Sequence, residues 1–463
     1  MKLVCRLVAC ALALVPVASG QPETAPVVPG DYVGEYTRSD GVPVYVAERA
    51  GEMVVVVAGS VFALAPSGPD RFALVGVPEA VRFERGADAR VVAVSDSQGS
   101  YPRVSSTVPA EIAALVGGAP ADYSYAPPQP GEPGLPVGDA TAHGLPAAAV
   151  EAVMADVYGD PDYRHVRALL VQKDGVLVVE EYVAGVGPDQ THNVRSATKS
   201  VVSALVGAAV RRGEVGLGDR PFAVVAQAEG RPISAHKASL TLADLLDMRH
   251  GLQCDDWDPE SPGNEARIYG EPDWLAVILS IPDGAERDGP SYCSAVPLVV
   301  GRYLELATGQ PLAAFADTAL FGPLGVARDD WEWDVVLAAR ETMHGAQVHL
   351  RPRDMVRFGA LYVRGGRTPE GERLLPEGWV GAAFDATMPL GDWRRYSDFW
   401  WTYDVPRDGA DPVTVHTASG VGGQRIAVVP ALDLVVVLTG ASFSEGRSGP
   451  TRIIERIVQA VEP

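Results

Sequence analysis

No helix or interior strand can run through residues 126–138, where Pro127, Pro128, Pro130, Pro133 and Pro136 alternate with Gly131 and Gly134. Proline has no amide hydrogen and a fixed φ, so such a stretch is extended, semi-rigid and without a hydrogen-bonded ladder of its own. It divides the chain. Before it, in residues 21–125, short alternating apolar runs at 44–46, 53–57, 61–64, 72–75, 81–83 and 91–94 are separated by turn residues. That is the pattern of a small antiparallel β unit. After it, residues 139–463 mix helix and strand patterns, and 463 residues in all are enough for two or three cores of ordinary size.

The first twenty residues carry Lys2 and Arg6, an apolar run from Leu7 to Val17 and the small residues Ala18, Ser19 and Gly20. This predicts a secretory signal peptide, residues 1–20, removed on export. A lipoprotein alternative at Cys10 has the right residue types in Leu7-Val8-Ala9, but the apolar stretch ahead of that cysteine is too short. No later run reaches the roughly 18 apolar residues of a membrane span. The mature chain is therefore expected to be secreted or periplasmic and not transmembrane. The full sequence has 59 acidic residues against 38 basic ones, a formal charge of −21, which makes nucleic acids and anionic membrane surfaces poor partners. Loss of the leader leaves Cys254 and Cys293, which form one disulfide or stay as two separate buried thiols.

The second region opens with a hairpin signal, two apolar runs at 166–171 and 176–182 joined by Lys173-Asp174-Gly175. Helical patterns follow at 196–212, 241–248, 296–308 and 354–364, then strand-like runs at 425–429 and 432–438, then a closing helix at 451–461. Strands at both ends and helices between them predict an antiparallel sheet assembled from both ends and covered by helices, an α/β (α+β) arrangement.

The chain has only four lysines, Lys2, Lys173, Lys199 and Lys237, so nearly all of its positive charge is arginine. Arginine cannot lose its proton at working pH, whereas a desolvated lysine can act as a base. Two lysines have a serine three residues earlier, in Ser196-Ala197-Thr198-Lys199 and Ser234-Ala235-His236-Lys237. Ser196 opens a strongly apolar helix, which places an amine beside a hydroxyl on one helix face in a poorly solvated spot. Exposed N–H groups at a helix start suit a developing oxyanion. Ser234 lies in a polar stretch before a Thr241/Asp244 helix cap, and its match is read as chance.

With these residues the sequence resembles the serine beta-lactamase-like superfamily, in particular its class C-like branch of esterases, peptidases and 6-aminohexanoate-dimer hydrolase. The resemblance starts at Val194-Arg195-Ser196-Ala197-Thr198-Lys199-Ser200 and continues through 241–252, Leu320-Phe321-Gly322-Pro323-Leu324-Gly325 and Arg353-Asp354-Met355. Tyr292-Cys293-Ser294 stands in the place of the family's Tyr-x-Asn motif, and Ala418-Ser419-Gly420-Val421 in that of its Lys-Thr-Gly or His-Thr-Gly motif. It implies a beta-lactamase/transpeptidase-like fold, an antiparallel sheet flanked by helices with a helical subdomain. Small β-barrel accessory domains accompany some such hydrolases, and the N-terminal unit resembles them.

The resemblance also implies roles. Ser196 attacks a carbonyl, Lys199 and Tyr292 move the proton with either one as base, and the N–H groups of Ser196 and Val421 hold the oxyanion. Ser294, His416, Ala418, Ser419 and Gly420 fall where substrate is bound. Ala418 replaces a side chain that often binds a substrate carboxylate, and Ser294 replaces asparagine. Both changes favour a small-molecule ester or amide, or a peptide-like substrate, over antibiotics. His416, on the same strand face as Ala418, either compensates or is a structural neighbour. A Cys254–Cys293 disulfide would brace the Tyr292 loop. The cluster Asp255-Asp256-Trp257-Asp258 either lines the cleft and favours an amine or is a solvated loop, and Trp393, Trp400 and Trp401 read as packing, with a cleft wall as the alternative. No cofactor is implied, and no metal, since the eight histidines show no zinc spacing. The rival readings are a D-Ala-D-Ala carboxypeptidase or beta-lactamase, and a cell-wall sensor that is acylated without turnover.

Overall fold

The computed structural model describes residues 29–462 apart from breaks at 39–40, 50–51, 58–59, 75–79, 97–98, 117–122, 160–162, 164, 270, 285–290, 337–340, 343–346, 387, 391–393 and 442–447. The leader expected at residues 1–20 and Trp393 lie outside the described residues.

Eight strands in sequence, β1 (Gly34–Thr37), β2 (Pro43–Arg49), β3 (Glu52–Val57), β4 (Ser60–Gly68), β5 (Arg71–Leu74), β6 (Ala80–Arg85), β7 (Val91–Asp96) and β8 (Gly99–Ser105), form a closed barrel. Each strand pairs antiparallel with the next, and β8 returns to β1. Closure leaves no edge strand to aggregate. Alternate residues such as Val81 and Phe83 point inward, where Tyr32, Tyr36, Phe72 and Phe83 meet edge to face and fill the lumen. Helix α1 (Ala110–Val116) packs Val116 against Ala47, Val54, Val56 and Val61 on the barrel's outer side.

The proline-rich segment is extended and fastened along one side. Prolines keep their carbonyls as acceptors, and neighbouring donors use them: Leu177 N donates to Pro136 O at 2.8 Å and Arg357 Nη2 to Pro133 O at 2.8 Å. Arg353 reaches Gln129 O while gripping both oxygens of Glu180 at 2.6 Å.

Beyond it come α2 (Ala147–Gly159), β9 (Val166–Lys173) and β10 (Val176–Tyr182). Asp174 and Gly175 both take positive φ at the β9–β10 turn, the conformation the Asp-Gly pair favours. Helices α3 (Thr198–Arg212), α4 (Glu265–Tyr269), α5 (Ala295–Thr308) and α6 (Pro352–Val363) belong to the middle of the chain. Strands β11 (Met388–Pro389), β12 (Arg395–Ser397), β13 (Trp400–Arg407), β14 (Ala410–Gly420), β15 (Gln424–Val429) and β16 (Leu434–Gly440) return to the sheet before α7 (Ser448–Ala460). The sheet order is β10-β9-β16-β15-β14-β13-β12-β11, all antiparallel.

Alternation along the central strands supplies two cores. Leu169, Val171, Val436 and Val429 face Val153, Met154, Ile454 and Ile457 of α2 and α7. Leu170, Val435, Val437 and Ile426 face α3, α5, α6 and the shorter helices of the subdomain. Helix α3 is buried at every position from Thr198 to Ala209, so it is a central helix with no solvent face. Among the described residues no helix is long and apolar enough to cross a membrane.

Candidate active site

Ser196 sits one step before α3, on a 3₁₀ turn at Arg195–Ala197. The turn is set from outside. Val194 N donates to Val348 O at 2.8 Å, and Arg195, at φ 55°, donates its N–H to Asn193 Oδ1 at 2.9 Å. A non-glycine residue in the left-handed region costs about 1 kcal/mol or more, and it sits directly ahead of Ser196. The sequence predicts one helix over 196–212; the tighter first turn lifts Ser196, which stays partly exposed, out of the buried helix that carries Lys199.

Lys199 is 1 % exposed, and its Nζ donates to Ser196 Oγ at 3.1 Å and to Ser294 Oγ at 3.0 Å. The amine also lies 4.8 Å from the centre of the Tyr292 ring. Burial alone would discharge it, but Tyr292, Asp256 and Glu265 outweigh burial and hold its pKa above the ordinary value.

Ser294, expected from the sequence among the substrate-binding residues, also has partners on its inner side. It is fully buried at the start of α5, and its hydroxyl lies 2.7 Å from Asp256 Oδ2 and 3.0 Å from Glu265 Oε2. Ser294 N donates to the same Asp256 oxygen at 2.8 Å, and Glu265 N donates to Asp256 Oδ1 at 3.1 Å. Burial, then the like charge of Glu265, push the Asp256 carboxyl up to about 7.

Cys254 and Cys293 form a disulfide with Cα atoms 5.4 Å apart. It ties the loop that carries Asp256 to the Tyr292 segment, helped by Asp256 N to Tyr292 O at 2.9 Å and Ser291 Oγ to Cys254 O at 2.7 Å. His250 joins the same seam, its Nε2 2.9 Å from Ser291 O and its Nδ1 accepting from Leu252 N. Burial holds its pKa down at about 4, so the ring is neutral.

The acidic cluster therefore divides. Asp256 is an inner residue, Asp255 and Asp258 accept backbone N–H groups within their own loop, and Trp257 stacks flat on Tyr292 at 5.5 Å. Trp401 lies 5.5 Å from the Tyr292 ring, and Tyr396 meets it edge-on at 5.9 Å. Trp401 thus belongs to an aromatic wall around Tyr292, while Trp400 is core packing against Phe358 and Tyr362.

On β14, Gly420 meets the Ser196 turn, where a Cβ would lie 2.1 Å from Val194 O. Ser419 is partly exposed beside it, and Val421 is 54 % exposed at the turn that follows. Ala418 is fully buried. His416 shares its face but does not compensate as a cation: Nδ1 is 2.9 Å from Thr402 Oγ1, the ring stacks on Phe384 at 3.8 Å, and burial brings its pKa down to about 4. It borders a separate open hollow of about 510 Å³ with Phe384, Asp385, Ala386, Arg395 and Thr414. Ser234 is a cap: it accepts from Lys237 N at 3.1 Å and donates to Asp283. Among the described residues one group, Glu332, Asp334 and His349, brings three possible ligand atoms within 4.8 Å, and His349 Nε2 pairs with Asp334 at 3.3 Å. Sequence reasoning missed Glu265 and Tyr396, which lie in segments without a recognisable pattern.

An antiparallel sheet carrying Gly420 against a Ser-x-x-Lys turn, with a Tyr-x-Ser segment over the lysine, is the architecture of the beta-lactamase/transpeptidase fold class of serine hydrolases. The family model described as Beta-lactamase matches residues 153–460, and the chain belongs to that family. A 6-aminohexanoate-dimer hydrolase from Paenarthrobacter ureafaciens is 25 % identical over 298 residues, 58 % of this chain and 71 % of that protein. Among solved structures, a provisionally named beta-lactamase from Bacteroides dorei DSM 17855 superposes with a TM-score of 0.54 at 19 % identity, covering 68 % of this chain and 99 % of that one. A penicillin-binding protein homologue from Caulobacter crescentus gives 0.51 at 16 % identity, covering 68 % and 96 %. The protein is a serine hydrolase of the beta-lactamase family, preceded by an all-β barrel.

Proposed function

We propose that this is an exported serine hydrolase that cleaves a small ester or amide through an acyl-enzyme on Ser196. The observation that carries the reading is the buried Lys199 Nζ at 3.1 Å from the partly exposed Ser196 Oγ. In this reading the Ser196 proton passes to Lys199 as Oγ attacks the carbonyl carbon. Tyr292 delivers a proton to the leaving oxygen or nitrogen, and the N–H groups of Ser196 and Val421 receive the oxyanion. Water then reverses the sequence and frees Ser196. Export is supported by the leader pattern and by a disulfide, which persists in an oxidising compartment.

The substrate reading follows from what stands beside the nucleophile. Ala418 offers no charge and His416 is neutral and occupied, so neither holds a substrate carboxylate. Trp257, Tyr292 and Trp401 pack on one another behind Lys199 and make that side of the site apolar, which suits a short chain with an aliphatic or aromatic body. The 6-aminohexanoate-dimer hydrolase relative makes linear amides of ω-amino acids the first amides to try.

The test is incubation of the mature protein with a chromogenic short-chain ester and with a fluorophosphonate, beside Ser196→Ala. Turnover and a single covalent adduct, both lost in a folded Ser196→Ala, are expected. A folded wild type that neither labels nor turns over any ester, amide or penicillin overturns the reading.

A further inference from the structure

The Ser294 hydroxyl has one hydrogen and three close polar neighbours: Lys199 Nζ at 3.0 Å, Asp256 Oδ2 at 2.7 Å and Glu265 Oε2 at 3.0 Å. The ammonium has no lone pair, so Lys199 donates to Ser294, and the hydroxyl hydrogen must then point at a carboxyl. This is a continuous N–H···O–H···O chain from Lys199 to the carboxyls. Asp256, 3 % exposed, is held at its inner end by N–H groups from Ser294 and Glu265.

Two carboxyls about one buried hydroxyl do not both stay ionised without cost. With Lys199 charged and both carboxyls charged, the cluster carries a net negative charge inside the protein. One proton on the pair neutralises it. The other titratable groups facing the pair are Tyr292, Tyr269 from α4 and Tyr396 from β12. Burial holds the phenols of Tyr269 and Tyr396 well above their ordinary value, so those two stay neutral near pH 7.

We propose that, during the attack and not in the resting site, the Asp256–Glu265 pair takes a proton from Lys199 through the Ser294 hydroxyl, leaving a neutral amine to receive the proton of Ser196. The proposal rests on the Ser196 reading above and names what readies its base. The step balances. Lys199 Nζ gives a proton to Ser294 Oγ as the Ser294 hydrogen moves to a carboxylate oxygen of the pair. Ser294 ends unchanged, the amine is neutral, and one carboxyl is protonated. The Nζ lone pair then takes the Ser196 proton as Oγ bonds to the substrate carbon. When the leaving group has taken that proton, the pair returns its own by the same path. Asp256 and Glu265 are positioning residues that act only through Lys199.

The sign of the pH dependence follows. Asp256 Oδ2, at 2.7 Å, is the nearer acceptor of the relayed proton, and once Asp256 is protonated it has no place for the lysine's proton, so activity falls as Asp256 protonates at low pH. In the wild type this acid limb of kcat/KM falls near neutrality, well below the range of an ordinary lysine. Glu265→Gln removes the like charge beside Asp256 and moves the limb to lower pH by about one unit. Ser294→Ala breaks the chain, lowering kcat/KM at pH 7 by at least about tenfold and moving the limb alkaline, and Ser294→Thr restores both.

The experiment is the pH profile of ester turnover and of fluorophosphonate labelling for the wild type and these three variants, with circular dichroism to confirm folding. A wild-type limb at alkaline pH overturns the proposal and leaves the pair a counterion. An unmoved limb in Glu265→Gln, or a wild-type rate and limb in Ser294→Ala, overturns it as well. If Ser294→Ala does not fold, Glu265→Gln alone decides. Failure of the wild type to label at Ser196 removes the parent reading, whereas labelling with unmoved limbs removes only this one.

Discussion

Gly420 and Val194 are in backbone contact: the Cβ that any other residue would carry at 420 lies 2.1 Å from the Val194 carbonyl oxygen. That distance is far inside van der Waals contact, and both sides are main chain, so neither can rotate away. The end of β14 and the turn of Ser196 are thus spaced by the absence of one methyl group.

Gly420→Ala must therefore push the strand from the turn. It is expected to cost about 1–3 kcal/mol of stability, as overpacking of a tight site does. Because a displacement of about 1 Å can cost about a hundredfold in rate, fluorophosphonate labelling should slow by that order. Thermal unfolding and labelling kinetics check both; unchanged labelling would mean that β14 does not set the nucleophile's surroundings.

Lys199→Met leaves Asp256 and Glu265 buried without their cation. Breaking a buried charged group from its partners costs about 3–5 kcal/mol, and the loss should be largest at high pH, where both carboxyls would have to be charged. The folded pKa of Asp256, already raised by burial, rises further above its unfolded value, so the destabilisation shrinks as pH falls and Asp256 takes up a proton. Denaturant unfolding of Lys199→Met and Ser196→Ala at pH 5 and pH 8 separates this from any effect of the nucleophile, since Ser196→Ala should be close to neutral at both.

Reduction of Cys254–Cys293 opens a loop whose ends are 39 residues apart. A crosslink of that span contributes about 2–4 kcal/mol in the chain-entropy account, so a reductant should lower the melting temperature. It should also lower kcat more than it raises KM, because the loop it releases holds Asp256 against Ser294. Equal melting curves with and without reductant would contradict the first expectation.

Asp398 has its carboxyl pushed up to about 7 by burial and by the like charge of Asp247. Its folded pKa lies above the unfolded value, so its share of stability is fully present at low pH and is lost as pH rises through 7. Asp398→Asn should therefore stabilise the protein at pH 8 by about 2 kcal/mol more than at pH 5. Comparing the two pH values cancels the easier backbone fit of asparagine at the φ of 45° found there. A difference that does not change with pH would remove the charge argument.

The sequence carries the parts of this fold that are local. The alternation at 166–171 and 435–437 is the two-faced burial of β9 and β16, and Asp174-Gly175 is the turn it looks like. Ser196 and Lys199 are legible because both lie at the start of one apolar run. The inner partners of Ser294, Asp256 and Glu265, were not legible because a loop fold and a disulfide bring them to it, and neither has a period. For a related reason the sequence leaves the tryptophans between packing and a cleft wall: Trp257, Tyr292 and Trp401 come from three distant segments, and their stacking depends on tertiary placement alone. Arg353 and Arg357 lie in a family-like stretch, but nothing in it announces that they grip the proline-rich segment.

The pairing of β9 with β16, from Lys173 beside Leu434 to Val166 beside Gly440, has a consequence in time. The first strand of the hydrolase domain lacks its inner neighbour until residues 434–440 have been synthesised. Long-range closure of this kind is slow, and it keeps the emerging chain from locking into a finished sheet too early. In the export reading proposed above that delay is useful: the polypeptide stays pliable in transit, and the sheet behind Ser196 is incomplete until residues 434–440 arrive.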